Sequence, residues 1–560
     1  MADMSTMVPA MYLIIVLVAF LLMRSITATV GTVIVILLSL MTAMGLAGWA
    51  GIELSPPSSA ATTIIMTLAV ADSIHILINL LGAMRRGVSR RDAIVESLRV
   101  NMSPVFLTSV TTAIGFLSLN FSDSPPFADL GNITAMGMIA AWFYSVGFLP
   151  AFVAIVPVKT RQGQSLLGKF MDRLGDWVVR RNSPILVGFS ACAILLLAFI
   201  PSNELNDDFV AYFDESTTFR SDVSITSERL TGAYQLQFSL DSGSSNGVSD
   251  PAFLEQASQF VDWLRSQPEV RHVQSITDTF KRLNENLHSG DLAYYKLPEN
   301  RQLAAQYLLL YELSLPYGLD LNNQLNIDKS STQIVATLNN LDSRRLRDIA
   351  QRGENWLEEN TPRLAATGIG PAIMFAYISD RNIRSMLLGT FLAVVLISAI
   401  LVGVLRSPKL GAISLVPNLL PAGLAFGAWG MLVGELNMAV SMVSGMTLGI
   451  VVDDTNHFLT KYKRARLEQG LDAPDAVRYT FSSVGQAIVV TSLILIAGFS
   501  VLAQSDFAMN SLMALLTAIA IAMALLADFL LLPALLIKLG GRKSAEASPL
   551  AGMAEAAPAS

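Results

Sequence analysis

Three aspartates, Asp72, Asp453 and Asp454, sit inside stretches of sequence that are otherwise apolar. An ionised carboxylate at a bilayer centre costs at least about 2.5 kcal/mol, and burial in a low dielectric favours the neutral acid. Acids so placed suit proton uptake and release, or the holding of an ion. Two of only 4 histidines, His75 and His457, each follow an aspartate by three residues. That spacing sets imidazole and carboxyl on the same side of a helix. An imidazole there either shuttles protons near neutral pH or rests as a satisfied polar group near a cytoplasmic helix end. Thr108-Ser109 and Thr491-Ser492 stand at equivalent points of two similar segments. Their hydroxyls bond either to their own helix carbonyls or across to the acids. Asp528 is either a structural partner or part of the same path.

Other chemistries are poorly served. The chain has 1 cysteine, Cys192, so neither a disulfide framework nor a cysteine zinc site is expected. Two candidate ligands per helix, in separate halves of the chain, do not predict a metal cluster. There is no Gly-x-x-x-x-Gly-Lys-Ser/Thr loop and no nucleophile elbow. No cofactor, no metal and no enzymatic activity are therefore expected, and work would have to draw on a gradient. A net charge of -6 argues against a nucleic-acid partner.

The helices that position these residues follow from composition. The 560 residues are 52% hydrophobic and only 15% charged, well below the charge of a soluble chain. At about 20 apolar residues per crossing, eleven spans are expected. Five lie near 8–23, 29–50, 58–81, 104–121 and 130–156, and a sixth at 184–200. Five more lie near 386–405, 409–433, 438–459, 485–503 and 511–538. The first has no basic residue before it and Arg24 directly after it, the wrong polarity for a signal peptide. Lys and Arg gather in alternate loops: Arg85 to Arg99, Lys159 to Arg181, Arg406 and Lys409, Lys461 to Arg466, and Lys538 to Lys543. The positive-inside rule then makes the C-terminus cytoplasmic and the polar stretch 201–384 external.

Residues 24–156 align with 406–539 at a nearly constant offset. Asp72-x-x-His75 matches Asp454-x-x-His457, Thr108-Ser109 matches Thr491-Ser492, and Leu149-Pro150-Ala151 matches Leu532-Pro533-Ala534. Asp453 and Asp528 have no acidic counterpart, their partners being Ala71 and Ser145. Both copies carry their basic loops at equivalent places, as a parallel repeat does. By this symmetry an opening span and a first external domain are expected before residue 1. Gly427, Gly430, Gly445 and Gly449 are expected to permit close helix packing.

The expected organisation is a first membrane repeat over 1–158, a cytoplasmic linker helix over 159–183, and a span over 184–200. An external domain over 201–384, a second repeat over 385–540 and a disordered cytoplasmic tail over 541–560 follow. Within the external domain Tyr234 to Leu240 alternates as a half-buried strand. A helix from Asp250-Pro251 to about Gln267, a strand over Val270 to Ile276, a strand over Thr332–Leu338, a helix over Ser343–Glu359 and a short strand over Leu364–Ile369 follow. Strand-helix-strand twice over is a split βαβ, ferredoxin-like unit. The apolar run Leu308, Leu309, Leu310, Tyr311 and Leu313 is either core or one wall of a passage for an apolar ligand. Met374–Arg384 is expected to continue as helix into the seventh span.

The run Gly449-Ile450-Val451-Val452-Asp453-Asp454-Thr455-Asn456-His457-Phe458-Leu459, then Ser483-Val484-Gly485, Thr491-Ser492 and Leu531-Leu532-Pro533-Ala534-Leu535, resembles the resistance-nodulation-division (RND) superfamily. The branch it is most similar to is the MmpL-type lipid and hydrophobe exporters, related to hopanoid transporters and sterol-sensing-domain proteins. Ala69-Val70-Ala71-Asp72-Ser73-Ile74-His75-Ile76-Leu77 is similar to the first-half counterpart. The resemblance implies twelve spans, two external domains and proton-driven alternating access, with Asp72, Asp453 and Asp454 on the proton-carrying positions. His75, His457, Thr108, Ser109, Thr491 and Ser492 would support them. Many MmpL-type members have Asp-Tyr where this chain has Asp72-Ser73 and Asp453-Asp454. The expectation is an exporter of hydrophobic molecules in a bacterial inner membrane, shortened at its N-terminus. Its expected partners are membrane lipids, a hydrophobic substrate and protons, with a further copy or an accessory periplasmic protein. The alternative is a non-transporting, sterol-sensing-like lipid-binding module that acts through a partner.

Overall fold

The computed structural model describes residues 2–158, 166–316, 320–405 and 407–540. The expected tail at 541–560, residues 159–165 of the expected linker, and the basic residues Lys159, Arg161, Arg406, Arg542 and Lys543 lie outside them. Among the described residues ten helices are long and apolar enough to cross a membrane. The span expected at 8–23 is a shorter apolar helix, Met7–Met23.

The first repeat comprises α1 (Ala2–Met23), α2 (Ile26–Trp49), α3 (Pro56–Arg85), α4 (Arg90–Leu117), α5 (Pro125–Phe143) and α6 (Leu149–Ile155). A π-helical turn, Tyr144–Phe148, joins the last two. The start of α3 is set by Ser55, which caps Ser58 N–H in a reciprocal capping box, with Pro56 behind it. Helix α7 (Leu166–Arg180) is amphipathic, burying Met171, Gly175 and Val178, and α8 (Asn182–Leu197) leads to the domain formed by residues 201–370.

That domain contains β1 (Glu204–Leu205), α9 (Thr218–Arg229), β2 (Tyr234–Asp241), α10 (Pro251–Arg265), β3 (Val270–Gln274), α11 (Ile276–Leu287), α12 (Arg301–Ser314), β4 (Ser331–Leu338) and α13 (Ser343–Asn360). Its sheet has the order β2-β4-β3, with both pairings antiparallel. The alternation read in β2 holds: Leu236, Phe238 and Leu240 are buried against Phe260, Ile334 and Ala336. The strand expected over Leu364–Ile369 is reduced. Pro362–Leu364 forms a 3-10 turn and Ile369 alone bridges Gln237. Proline supplies no N–H, and Gly370 at φ 149 turns the chain away. That bridge flanks β2 on its free side and completes the ferredoxin-like order. The apolar run at 308–313 divides, Leu308 entering the core while Leu309, Leu310 and Leu313 are exposed.

The second repeat comprises α14 (Pro371–Leu405), α15 (Pro408–Leu432), β5 (Glu435–Leu436), α16 (Met438–Leu467), α17 (Ala473–Thr480), α18 (Gln486–Leu502), α19 (Ala508–Leu526) and α20 (Leu532–Leu539). Helix α14 runs unbroken from the strand-bearing domain into the bundle. Arg347 of α13 pairs with Asp380 at 2.7 Å, and β1 pairs in parallel with β5. Both contacts tie that domain to the second repeat.

The centre of the bundle is α3 and α16, whose residues are buried almost throughout. Glycine makes this possible. A Cβ on Gly449 would lie 2.7 Å from Thr112 Cα, and one on Gly115 would lie 3.0 Å from Gly445 O and Gly449 N. The backbones of α4 and α16 therefore touch, and the Thr112 hydroxyl donates to Gly449 O across them at 2.9 Å. Gly427 and Gly430 meet the backbone of Leu196 and Phe199 in the same manner.

Candidate functional site

The two central helices bring the three sequence-selected acids to one place. Asp72 of α3 and Asp453 of α16 line a common gap of about 10 Å³, with Thr108, Ser109, Thr112 and Ile450. That is near the smallest volume that holds one water. Asp454 is beside it in the chain, and all three acids are at most 9% exposed.

The serine of each hydroxyl pair reaches an acid on a neighbouring helix. Ser109 donates to Asp72 Oδ2 at 2.8 Å, and Ser492 donates to Asp454 Oδ2 at the same distance. The repeat thus reproduces the acid–serine contact as well as the residues. Thr108 donates to Val105 O at 3.0 Å, and Thr491 to Ile488 O at 2.9 Å, so the threonines bond to their own helices. Thr108 also lies against Asp453, and Thr491 against Asp454.

The histidines correct an expectation. Read along the chain they belong to separate halves, yet the fold stacks them, with ring centroids 3.7 Å apart and planes within 1°. Both are fully buried, and none of their four ring nitrogens has a hydrogen-bond partner. His457 Nε2 lies 3.4 Å from Asp453 Oδ1, a close approach one helical turn apart. The reading of each histidine as a satisfied polar group fails on these contacts. His75, Asp453 and His457 can each offer a ligand atom within 4.8 Å of the others.

Two residues of this cluster, Lys461 and Asn456, escaped the sequence reading. Lys461, read there as part of a cytoplasmic loop, is inside α16 and only 4% exposed. Asp453, His457 and Lys461 are spaced four apart and form one stripe along α16, a periodicity open to detection beforehand. The side chain of Asn456 is buried without partners. Asp528 is fully buried and accepts the Thr455 hydroxyl at 2.7 Å. No sequence signal distinguished the two readings of Asp528.

Such a cluster can hold and pass protons or small cations between two halves of a bundle.

Comparison with known proteins bears on the whole arrangement. The MMPL family model matches residues 1–185 and 332–552, more than half of the chain. A membrane protein of Methanocaldococcus jannaschii is 24% identical over 301 residues, which are 52% of this chain and 72% of that protein. The siderophore exporter MmpL5 of Mycobacterium tuberculosis is 27% identical over 206 residues, 35% of this chain and 21% of that one. Among solved structures, the hedgehog release protein Disp from the water bear Hypsibius dujardini superposes with a TM-score of 0.64 at 13% identity. The match covers 96% of this chain and 70% of Disp. SecDF in its super-membrane-facing form gives a TM-score of 0.56, also at 13% identity, covering 96% of this chain and 62% of SecDF. These two likenesses concern the fold alone.

Proposed function

This chain belongs to the MMPL family, and on that premise we propose that it exports lipid-like or other hydrophobic molecules at the expense of a proton gradient. The observation that carries the reading is the meeting of Asp72 with Asp453, beside Asp454 in the chain, in an apolar core, with Asp72 and Asp454 each held by the equivalent serine. Every proton crossing a membrane potential releases about 2.3 kcal/mol per 100 mV. Carboxyls that gain and lose charge between two packed repeats convert that energy into a changed preference for one packing over another. Helix α14 supplies a rigid connection from that packing to the external domain. The naming of one relative as an exporter supports the direction of transport.

In this reading the membrane is a bacterial inner membrane, the C-terminus is cytoplasmic and 201–384 is external. The basic loops support that orientation. The chain acts as a carrier rather than an enzyme, and its ligands are protons, membrane lipids and the transported hydrophobe.

The test is transport by the full chain in proteoliposomes, with the apolar dye Nile red as cargo and trapped pyranine reporting protons. Dye movement is expected to require a pH gradient, and Asp454→Asn is expected to abolish it with expression and thermal unfolding unchanged. Proton-dependent dye movement that persists in Asp454→Asn would sink the assignment. Dye binding that ignores the gradient altogether would favour the sterol-sensing-like, non-transporting alternative.

A further inference from the structure

The two repeats share an irregularity that the sequence alignment does not reveal. Each has a π-helical turn at the same place, Tyr144–Phe148 in the first and Ala527–Leu531 in the second. Such turns are rare and frequently mark functional sites. Each holds one polar residue that bonds back to the central helix. In the first repeat the hydroxyls of Ser145 and Ser73 share a hydrogen bond of 3.1 Å. In the second, Asp528 accepts from Thr455. Ser73 follows Asp72 and Thr455 follows Asp454, so these are one contact made twice, with a carboxyl replacing a hydroxyl in the second copy.

The replacement is not demanded by packing, because the first repeat closes the same turn with serine. Nor, among the described residues, is it compensated by a cation. The helices packed most closely on the turn are α8, α15, α16, α19 and α20. Helices α8 and α19 carry no charged residue. Helices α15 and α20 carry only Lys409 and Lys538, both exposed. From α16 the groups whose charge reaches Asp528 are Asp454 and Asp453. Asp528 Oδ2 is buried without a partner. A buried carboxyl in that position costs several kcal/mol when ionised, while a serine in its place would not.

The same asymmetry recurs along α16. Asp453 stands where the first repeat has Ala71, and Lys461 where it has Asn79, which bonds neutrally to Asn101 at 3.0 Å. Each of the three substitutions puts a titratable group in the second repeat and a non-titratable one in the first.

We propose that Asp528 is a further proton-carrying site, exchanging a proton with Asp454, so that the proton path is asymmetric and runs through the second repeat. The O–H bond of one carboxylic acid breaks as that of the other forms, and the charge on the pair is unchanged. The inference rests on the proton-driven reading above and adds a residue and a direction to it.

The first repeat supplies the decisive variant. Asp528→Ser installs the residue that the fold already accepts at the equivalent place and keeps a partner for Thr455. In the pyranine and Nile red assay with the full chain, Asp528→Ser is expected to lower proton uptake and dye transport at least tenfold, with the unfolding temperature unchanged. Asp528→Glu is expected to retain at least half of the parental rate. Proton uptake within twofold of the parent in Asp528→Ser overturns the proposal. Should that variant fail to fold, Asp528→Asn is read instead, and failure of both assigns Asp528 a structural role and overturns it too. Asp454→Asn measured alongside separates the two levels. Loss in Asp454→Asn alone leaves the exporter standing without Asp528, whereas loss in neither removes the proton-driven reading itself.

Discussion

His75 and His457 lie face to face across the interface of the two repeats, 3.7 Å between centroids, without a hydrogen bond to any ring nitrogen. A buried polar group without a partner costs about 1–3 kcal/mol. The stack is therefore a place where stability is given up, and Lys461, one turn beyond His457 on α16, adds a like charge whenever either ring is protonated. Two imidazolium rings at this separation would repel strongly, so the pair carries at most one positive charge at a time.

The double variant His75→Leu/His457→Leu is expected to unfold at the same temperature as the parent or a few degrees above it. Its proton-coupled transport is expected to fall at least tenfold. Thermal unfolding and the pyranine assay check both halves, and a strongly destabilised double variant would show the rings to be packing elements only.

Removing the Ser109 or the Ser492 hydroxyl takes one donor from a carboxyl, an interaction with a charged group worth about 1.5–3 kcal/mol. Ser109→Ala and Ser492→Ala should each slow transport by about tenfold or more. Thr108→Val and Thr491→Val, whose hydroxyls bond to their own helices, should change the rate less than their serine neighbours. Four initial rates decide this, and an equal loss in all four would contradict it.

Where α4 and α16 touch, a side chain has no room. Gly449→Val would place a Cβ 2.7 Å from Thr112 Cα, and overpacking of that kind typically costs about 1–3 kcal/mol. A lowered unfolding temperature is expected for Gly449→Val. No such loss is expected for Gly147→Val in α5–α6, where nothing lies within 4 Å. Differential scanning of the purified variants provides the comparison.

Asp380 of α14 pairs with Arg347 of α13 and so joins the helix to the strand-bearing domain. Partial burial raises its pKa, but hydrogen bonds and charge from Arg347 and Arg384 outweigh this and hold it below the ordinary carboxyl value of 3.8. A depressed native pKa contributes stability above the unfolded value, lost as pH falls through the native one. Asp380→Asn is thus expected to destabilise that domain at pH 7, and the difference from the parent should shrink steadily below about pH 4. Unfolding followed by a tryptophan signal across pH 3–7 measures it; a difference independent of pH would be inconsistent.

Much of this protein is legible along the chain. Apolar blocks near the length of a bilayer crossing yield the spans, because no other arrangement hides so much apolar surface and satisfies its backbone. The period-two alternation of β2 identifies its buried face before any partner is known. The acids announce themselves by their cost in an apolar helix, and the duplicated Asp-x-x-His and Thr-Ser pairs show which residues act together. These are local signals, carried by composition and by spacing within one element.

Other features are decided only in three dimensions. Whether a serine reaches an aspartate on another helix depends on how α3 meets α4 and α16 meets α18, and the spacing within one helix does not record it. The stacking of His75 on His457 requires two segments 382 positions apart to close on one axis. Nothing in either segment encodes that distance. The paired π turns arise from backbone hydrogen bonds, which side-chain patterns do not record. They are what turn Asp528 from an isolated acid into the counterpart of Ser145. Sequence determined which residues are expensive to bury; tertiary packing determined which of them share that expense.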